Sequence, residues 1–214
     1  MIEAICWDVG GVFSARPVDA VARIAQQHSL VPDDVFAAVF GPYHTDGDHV
    51  WHRLERGELS LADAWVEVGQ AVAELGIGLS LADFFKQFRT DEADRQVVAD
   101  TALELHAQGI AMAVVTNNVA EFSGGDGPGW HSIVPMEIMD VVVDSSAVGM
   151  RKPGAAIYRH VLSELGVAAP RAVFVDDMAA NVEAAQNIGM HGIVVGPDPT
   201  PAMNELKALV RSLG

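Results

Sequence analysis

Five short apolar runs constrain this chain more than any other feature: "IEAICW" (2–7), "IAMAVVT" (110–116), "MDVVVDS" (139–145), "AVFVD" (172–176) and "GIVV" (192–195). Their apolar character is continuous rather than alternating, which predicts strands covered on both faces. Around the later runs, segments 94–108, 154–165, 178–188 and 202–212 carry apolar residues at helical spacing. Strands alternating with helices in this way predict an α/β fold, a doubly wound (Rossmann-like) parallel sheet. The first interval breaks the rhythm. Residues 15–92 hold no convincing strand but several helical patterns, among them "PDDVFAAVF", "SLADAWVEVGQAVAEL" and "SLADFFKQF". Two of these open on Ser-Leu-Ala-Asp, which marks Ser60 and Ser80 as N-caps. The expected organisation is a core made of 1–13 and 94–214, with an all-helical insertion at 14–93. Ligands of open α/β sheets bind outside the carboxyl ends of the strands, so the insertion would sit over the site as a lid.

Charge and composition narrow the function. Lys+Arg 13 against Asp+Glu 29 leaves a net charge of −16, which argues against a nucleic-acid-binding surface and suits acidic sites that hold cations. Cys6 is the single cysteine, so an intramolecular disulfide and a cysteine-based zinc site are both excluded, and its apolar neighbours predict a packed core thiol. The N-terminal stretch lacks the basic start of a signal peptide. No apolar run approaches the ~20 residues that span a bilayer. A cytoplasmic protein with no membrane partner is expected.

Four motifs lie where the predicted strands end. Asp8 follows the first strand and precedes Gly10 and Gly11. A carboxylate there is placed to act as a nucleophile, and the glycines would let bare backbone approach a ligand; a turn acid in a Gly-Gly bend is the plain alternative. Asp176 and Asp177 are adjacent at the end of the fourth strand. Two such charges ~4 Å apart repel by about 4 kcal/mol at an effective dielectric near 20. One of them could serve as a helix cap, but a hard cation such as Mg²⁺ resolves the repulsion of both. Thr116, Asn117 and Asn118 end the second strand, a weak signal alone. Lys152 stands before Pro153 and Gly154, which read as a helix start; its charge opposes the helix dipole there unless something anionic holds it.

The order of these motifs, in "WDVGGVF", "VVTNN", "VGMRKPGAAIY" and "VFVDDMAANVEAAQNIGMHGIVV", resembles the haloacid dehalogenase superfamily over essentially the whole chain, helical cap included. The resemblance implies a Mg²⁺-dependent phosphatase that acts through an aspartyl-phosphate on a small phosphorylated metabolite. It implies Asp8 as nucleophile, with Gly10, Gly11, Thr116, Asn117 and Lys152 around the phosphate. It also implies Asp8, Asp176, Asp177 and the Gly10 carbonyl as metal ligands, with Asp177 the more direct of the acidic pair. One position departs from the pattern: the family's phosphatases carry a second Asp, the general acid/base, where this chain has Gly10.

That departure keeps other readings in view. A haloacid dehalogenase attacks carbon and needs no metal, which would leave Asp176–Asp177 without a purpose. A silent phosphate-binding module would need no general acid. Receiver-type switches carry their acidic pair on the first strand and lack a helical insertion, and the superfamily's mutases retain the second Asp. Two further stretches stand apart. His44, His49 and His52, with Trp51, suggest a specificity role or plain cap surface, since zinc-motif spacing is absent. "GGDGPG" (124–129) has no Lys-Ser/Thr ending and is expected to be a loop near the site rather than a phosphate loop.

Overall fold

A computed structural model describes residues 1–87, 95–122 and 130–213 of the chain. Five strands, β1 (Ala4–Trp7), β2 (Ala111–Thr116), β3 (Val141–Asp144), β4 (Ala172–Asp176) and β5 (His191–Val194), form one parallel sheet in the order β3-β2-β1-β4-β5. The first strand is therefore central. The chain leaves it to one side for β2 and β3, then returns to its other side for β4 and β5. Such a reversal opens a crevice at the strands' carboxyl ends, and Asp8 is the first residue beyond β1 at that point.

Both faces of the sheet are covered, as continuous apolar strands require. Ile5 and Trp7 pack with Val114 and Val175 beneath helices α6 (Gln96–His106) and α10 (Thr200–Ser212). Ala4, Cys6, Val115 and Phe174 pack on the opposite face against α8 (Ala155–Leu165) and α9 (Ala179–Asn187). Cys6 is fully buried, and burial pushes its thiol up to about 12, so it is core packing. The third strand is shorter than expected at both ends: Met139 still closes the preceding helical turn, and Asp144 turns from strand to cap. Its Oδ1 accepts the Ser146 N–H at 2.9 Å and starts the short helix α7 (Ser145–Val148).

Between β1 and β2 lie α1 (Pro17–His28), α2 (Pro32–Phe40), α3 (Val50–Glu55), α4 (Leu61–Glu74) and α5 (Leu81–Phe85), with no strand among the described residues. Ser60 and Ser80 cap α4 and α5, each accepting the N–H three residues on at 3.1 Å. These helices enclose their own apolar cluster around Ile24, Val39, Leu54, Val68 and Phe84, to which Val119 from the loop after β2 also belongs. The expected boundary at 93/94 and the 124–129 loop lie outside the described residues. No helix among the described residues is long and apolar enough to cross a membrane.

Candidate active site

The parallel register brings the motif residues together. Trp7 pairs with Val114 on one side and Val175 on the other, so Asp8 emerges between the strands that end in Thr116 and Asp176. Asp8, Asp176 and Asp177 are buried, and a carboxylate oxygen from each lies within 4.8 Å of the others. Lys152 is 1% exposed and answers two of them, with Nζ 2.7 Å from Asp8 Oδ1 and 2.8 Å from Asp176 Oδ2. This accounts for a lysine just before a helix: two buried carboxylates hold it. The Lys152–Pro153 peptide is cis, and the helix begins after Pro153, at Ala155 with Gly154 as its N-cap.

The three acids are not equivalent. Asp176 has both oxygens engaged: Oδ1 accepts from Met178 N at 2.7 Å, Oδ2 accepts from Lys152, and Asn181 Nδ2 reaches both at 3.0–3.1 Å. Asp177 has an oxygen to spare. Its Oδ2 is buried without a hydrogen-bond partner, and Arg16 Nε, at 3.6 Å, is an ion-pair neighbour only. Burial and the charges of Asp176 and Asp8 push the Asp177 carboxyl well above the usual range. Burial and then the Asp176 charge push Asp8 up to about 7 against the pull of Lys152. Three crowded acids, one with an unpartnered buried oxygen, fit a hard divalent cation.

The two glycines play different parts. Gly11 has φ +75°, and a Cβ there would overlap the Asp177 carboxyl, so only glycine fits. Gly10 is under no such constraint: a Cβ would meet only Pro17 Cγ at 3.7 Å and Cδ at 3.9 Å. The backbone and its neighbours thus admit a side chain's first carbon at position 10.

Thr116, buried, lines a cavity of about 330 Å³ together with Asp8, Gly10, Asn117 and Asp177. Asn117 is committed to its neighbours. Its Oδ1 accepts Lys152 N–H at 2.8 Å, while Nδ2 donates to Lys152 O at 3.0 Å, Tyr43 Oη at 3.2 Å and Glu55 Oε2 at 3.3 Å. The side chain thus grips the backbone that carries the lysine.

Sequence reasoning missed the groups behind this grip. Glu55, from α3, accepts from Tyr43 Oη at 2.8 Å, Trp51 Nε1 at 3.0 Å and Arg151 Nε at 2.7 Å, and its main-chain oxygen accepts from Ser145 Oγ at 2.5 Å. Arg151 is buried, donates to Thr45 O at 3.0 Å and lies 4.9 Å over the Tyr43 ring. Burial raises the Glu55 carboxyl, and the Arg151 charge opposes that rise. A lone Glu and Tyr in a helical segment give no signal of this; the Arg-Lys-Pro juxtaposition is the nearest hint. Arg16 was also missed, as the residue before the helix-opening Pro17.

The histidines do not join the cavity. His44 is exposed, and His49 caps α3 by accepting Trp51 N–H at 3.2 Å. His52 is fully buried beside Tyr43, and burial, helped by Arg151, lowers it to about 4. Among the described residues the metal-type cluster is the aspartate one, and no histidine belongs to it.

A model of the haloacid dehalogenase-like hydrolase family matches residues 80–195, more than half of the chain. The chain belongs to that family. Among curated relatives of this family hydrolase, the sesquiterpene phosphatase astK of Aspergillus oryzae is 33% identical, over 97% of this chain and 96% of the relative. Acyl-CoA dehydrogenase family member 10 of Mus musculus is 29% identical over 97% of this chain, which spans only 19% of that longer protein. Solved structures share the fold. A HAD family enzyme from Bacteroides thetaiotaomicron, in complex with magnesium and inorganic phosphate, superposes with a TM-score of 0.58 at 15% identity, covering 92% of this chain and 95% of the other. The L-2-haloacid dehalogenase from Xanthobacter autotrophicus gives 0.56 at 17% identity, covering 93% and 80%.

Proposed function

We propose that this hydrolase is a Mg²⁺-dependent phosphatase of a small phosphorylated metabolite, working through an aspartyl-phosphate on Asp8. The observation that carries the reading is the buried Asp8–Asp176–Asp177 cluster with an unpartnered Asp177 oxygen: an attack on carbon would have no use for it. The phosphatase among its relatives supports the same choice. Asp8, Asp177 and the Gly10 carbonyl would hold the ion, with Asp176 fixed beside them by Lys152 and Asn181. When bound, Mg²⁺ supplies charge neutralisation of the phosphoryl oxygens.

The chain's own residues do the rest. Lys152 holds Asp8 Oδ1 and adds a fixed positive charge at the phosphate. A carboxylate oxygen of Asp8 attacks phosphorus as the bond to the leaving oxygen breaks. Water then attacks the phosphoryl-aspartate, releasing phosphate and restoring the carboxylate. The Thr116 hydroxyl and the main-chain N–H groups of Gly11 and Asn117 are the proposed phosphate contacts, because the Asn117 side chain is occupied. Residues 14–93 act as the cap over this site. The acidic chain and its reduced, buried cysteine suit the cytoplasm.

Metal dependence tests the reading. Phosphate release should vanish on exhaustive chelation and return with Mg²⁺, while Ca²⁺ restores it poorly because its looser coordination misplaces the attack. Full activity in chelator, or dehalogenation of a 2-haloacid at the expense of phosphate release, would reject it.

A further inference from the structure

Resting on the phosphatase reading, we propose that the substrate is an organic phosphate with an extended hydrocarbon body, held in an aromatic chamber between cap and core. The cavity that contains Asp8 has a second end with different chemistry. Phe36 and Phe40 from α2, Phe85 from α5, and Phe122 and Trp130 from the core side form its wall. The rings interlock: Phe36 with Phe40 at 4.8 Å between centroids, and Phe85 with Phe122 at 5.1 Å. Cap and core thus share one continuous apolar surface.

Apart from Phe40, which is buried in the helical core, these rings are not sealed away as a core would be. Phe122 is 40% exposed, and Phe36, Phe85 and Trp130 are half-buried. Apolar surface left open beside a reactive carboxylate is the usual form of a ligand site. No lysine, arginine or histidine lines the cavity among the described residues, so this lining offers a second anionic group on the substrate no counter-charge. Of the polar groups that the cap brings to this cavity, Tyr43 Oη and Glu55 satisfy each other, and Ser14 Oγ donates to the Val9 and Ala15 carbonyls. Trp130 Nε1 and Asn181 Oδ1 are buried without a partner, enough for one acceptor and one donor on a ligand. A sugar phosphate would bury several hydroxyls against phenyl rings, each losing about tenfold or more in affinity. A hydrocarbon gains instead, by about threefold to fourfold for each methylene removed from water.

The test is a chain-length series on the full chain with Mg²⁺: butyl, hexyl, octyl and decyl monophosphates. Glucose 1-phosphate and para-nitrophenyl phosphate complete the set. The proposal expects kcat/KM to rise threefold to fourfold per methylene across the alkyl series until the chamber is filled, with glucose 1-phosphate bound more weakly than decyl phosphate. Affinity for the corresponding alkylphosphonates, followed by tryptophan fluorescence, should climb with the same slope. Phe36→Ala should lower the decyl-to-butyl ratio about tenfold. A flat or falling series in turnover and in phosphonate affinity, with para-nitrophenyl phosphate still hydrolysed, overturns the apolar substrate and leaves the phosphatase standing. Length-dependent phosphonate binding without phosphate release from any ester supports the chamber and rejects the phosphatase reading.

Discussion

The core and the helical cap meet at one cavity with opposite chemistries. The core brings Asp8, Thr116, Asp177 and, behind them, Lys152 and Asp176, each set at the end of a strand or beside one. The cap brings Phe36, Phe40, Trp51 and Phe85, and a carboxylate, Glu55, that is spent on holding Arg151. Charge is concentrated where the backbone is stiffest, because a parallel sheet holds its strand ends in register. The cap decides what can lie against those charges. On the proposed reading, reaction type belongs to the sheet and substrate type to the aromatic wall that cap and core share, and the Glu55–Arg151 pair joins the two regions.

The largest expected effect breaks the core alone. Asp8→Asn should lower turnover by at least ~10⁴, since the covalent route is lost. Its melting temperature should change little, because the substitution removes one of three crowded negative charges along with one partner of Lys152. Retained turnover would make Asp8 structural and move the chemistry elsewhere.

The glycines sharpen the comparison within the core. Without an acid at position 10, the leaving oxygen departs largely unprotonated, so rates should depend steeply on leaving-group pKa. No cap histidine lines the cavity to stand in. Gly10→Asp, whose first side-chain carbon the structure admits, should flatten that dependence and raise turnover of simple alkyl esters by ~10² or more. A shallow slope across aryl and alkyl phosphates in the unmodified protein would show that another acid already acts. Gly11→Ala, by contrast, should displace Asp177 and weaken Mg²⁺ binding, measured by titration calorimetry.

Next comes the coupling between the regions. Glu55→Leu leaves the buried Arg151 charge with the more distant, partly exposed Asp46, at 3.6 Å, as its acidic partner, a loss of about 3 kcal/mol, which for a chain of this size is a fall of roughly 10 °C in melting temperature. Adding Arg151→Met should recover much of it, since an apolar pair replaces a buried ion pair at little cost. A lone Glu55→Leu change under ~2 °C would show that cap and core are joined by their apolar contacts instead. The smallest effect is confined to the cap: Ser60→Ala should cost about 1 kcal/mol, roughly 2–4 °C, from the lost N-cap of α4. Turnover should not move; if it did, cap stability and chemistry would be more tightly linked than the geometry shows.

Much of the site was legible because its residues sit at strand ends. A continuous apolar run announces a strand, a carboxylate or hydroxyl at its end announces the crevice, and Asp8, Thr116 and Asp176 all obey that rule. The N-caps Ser60 and Ser80 were legible for the same reason: a cap is a contact over three residues. The early end of β3 was less so, because Asp144 can serve a strand or a cap and the local pattern permits both.

By itself the sequence determined what is local or carried by order along the chain: the parallel α/β core, the helical insertion and the acids at the crevice. Tertiary structure alone decided that Gly11 is obligatory and Gly10 is not, since Asp177 crowds the one and leaves the other free. It also decided that Arg16 pairs with Asp177, that Glu55 and Arg151 meet across 96 positions, and that Phe36 and Phe85 sit at the edge of the helical core, where they also line the cavity. The reason is physical. Backbone hydrogen bonding and hydrophobic period act between near neighbours and repeat in the sequence. The facing of a helix and the pairing of distant charges are set by what packs against them, which no local pattern records.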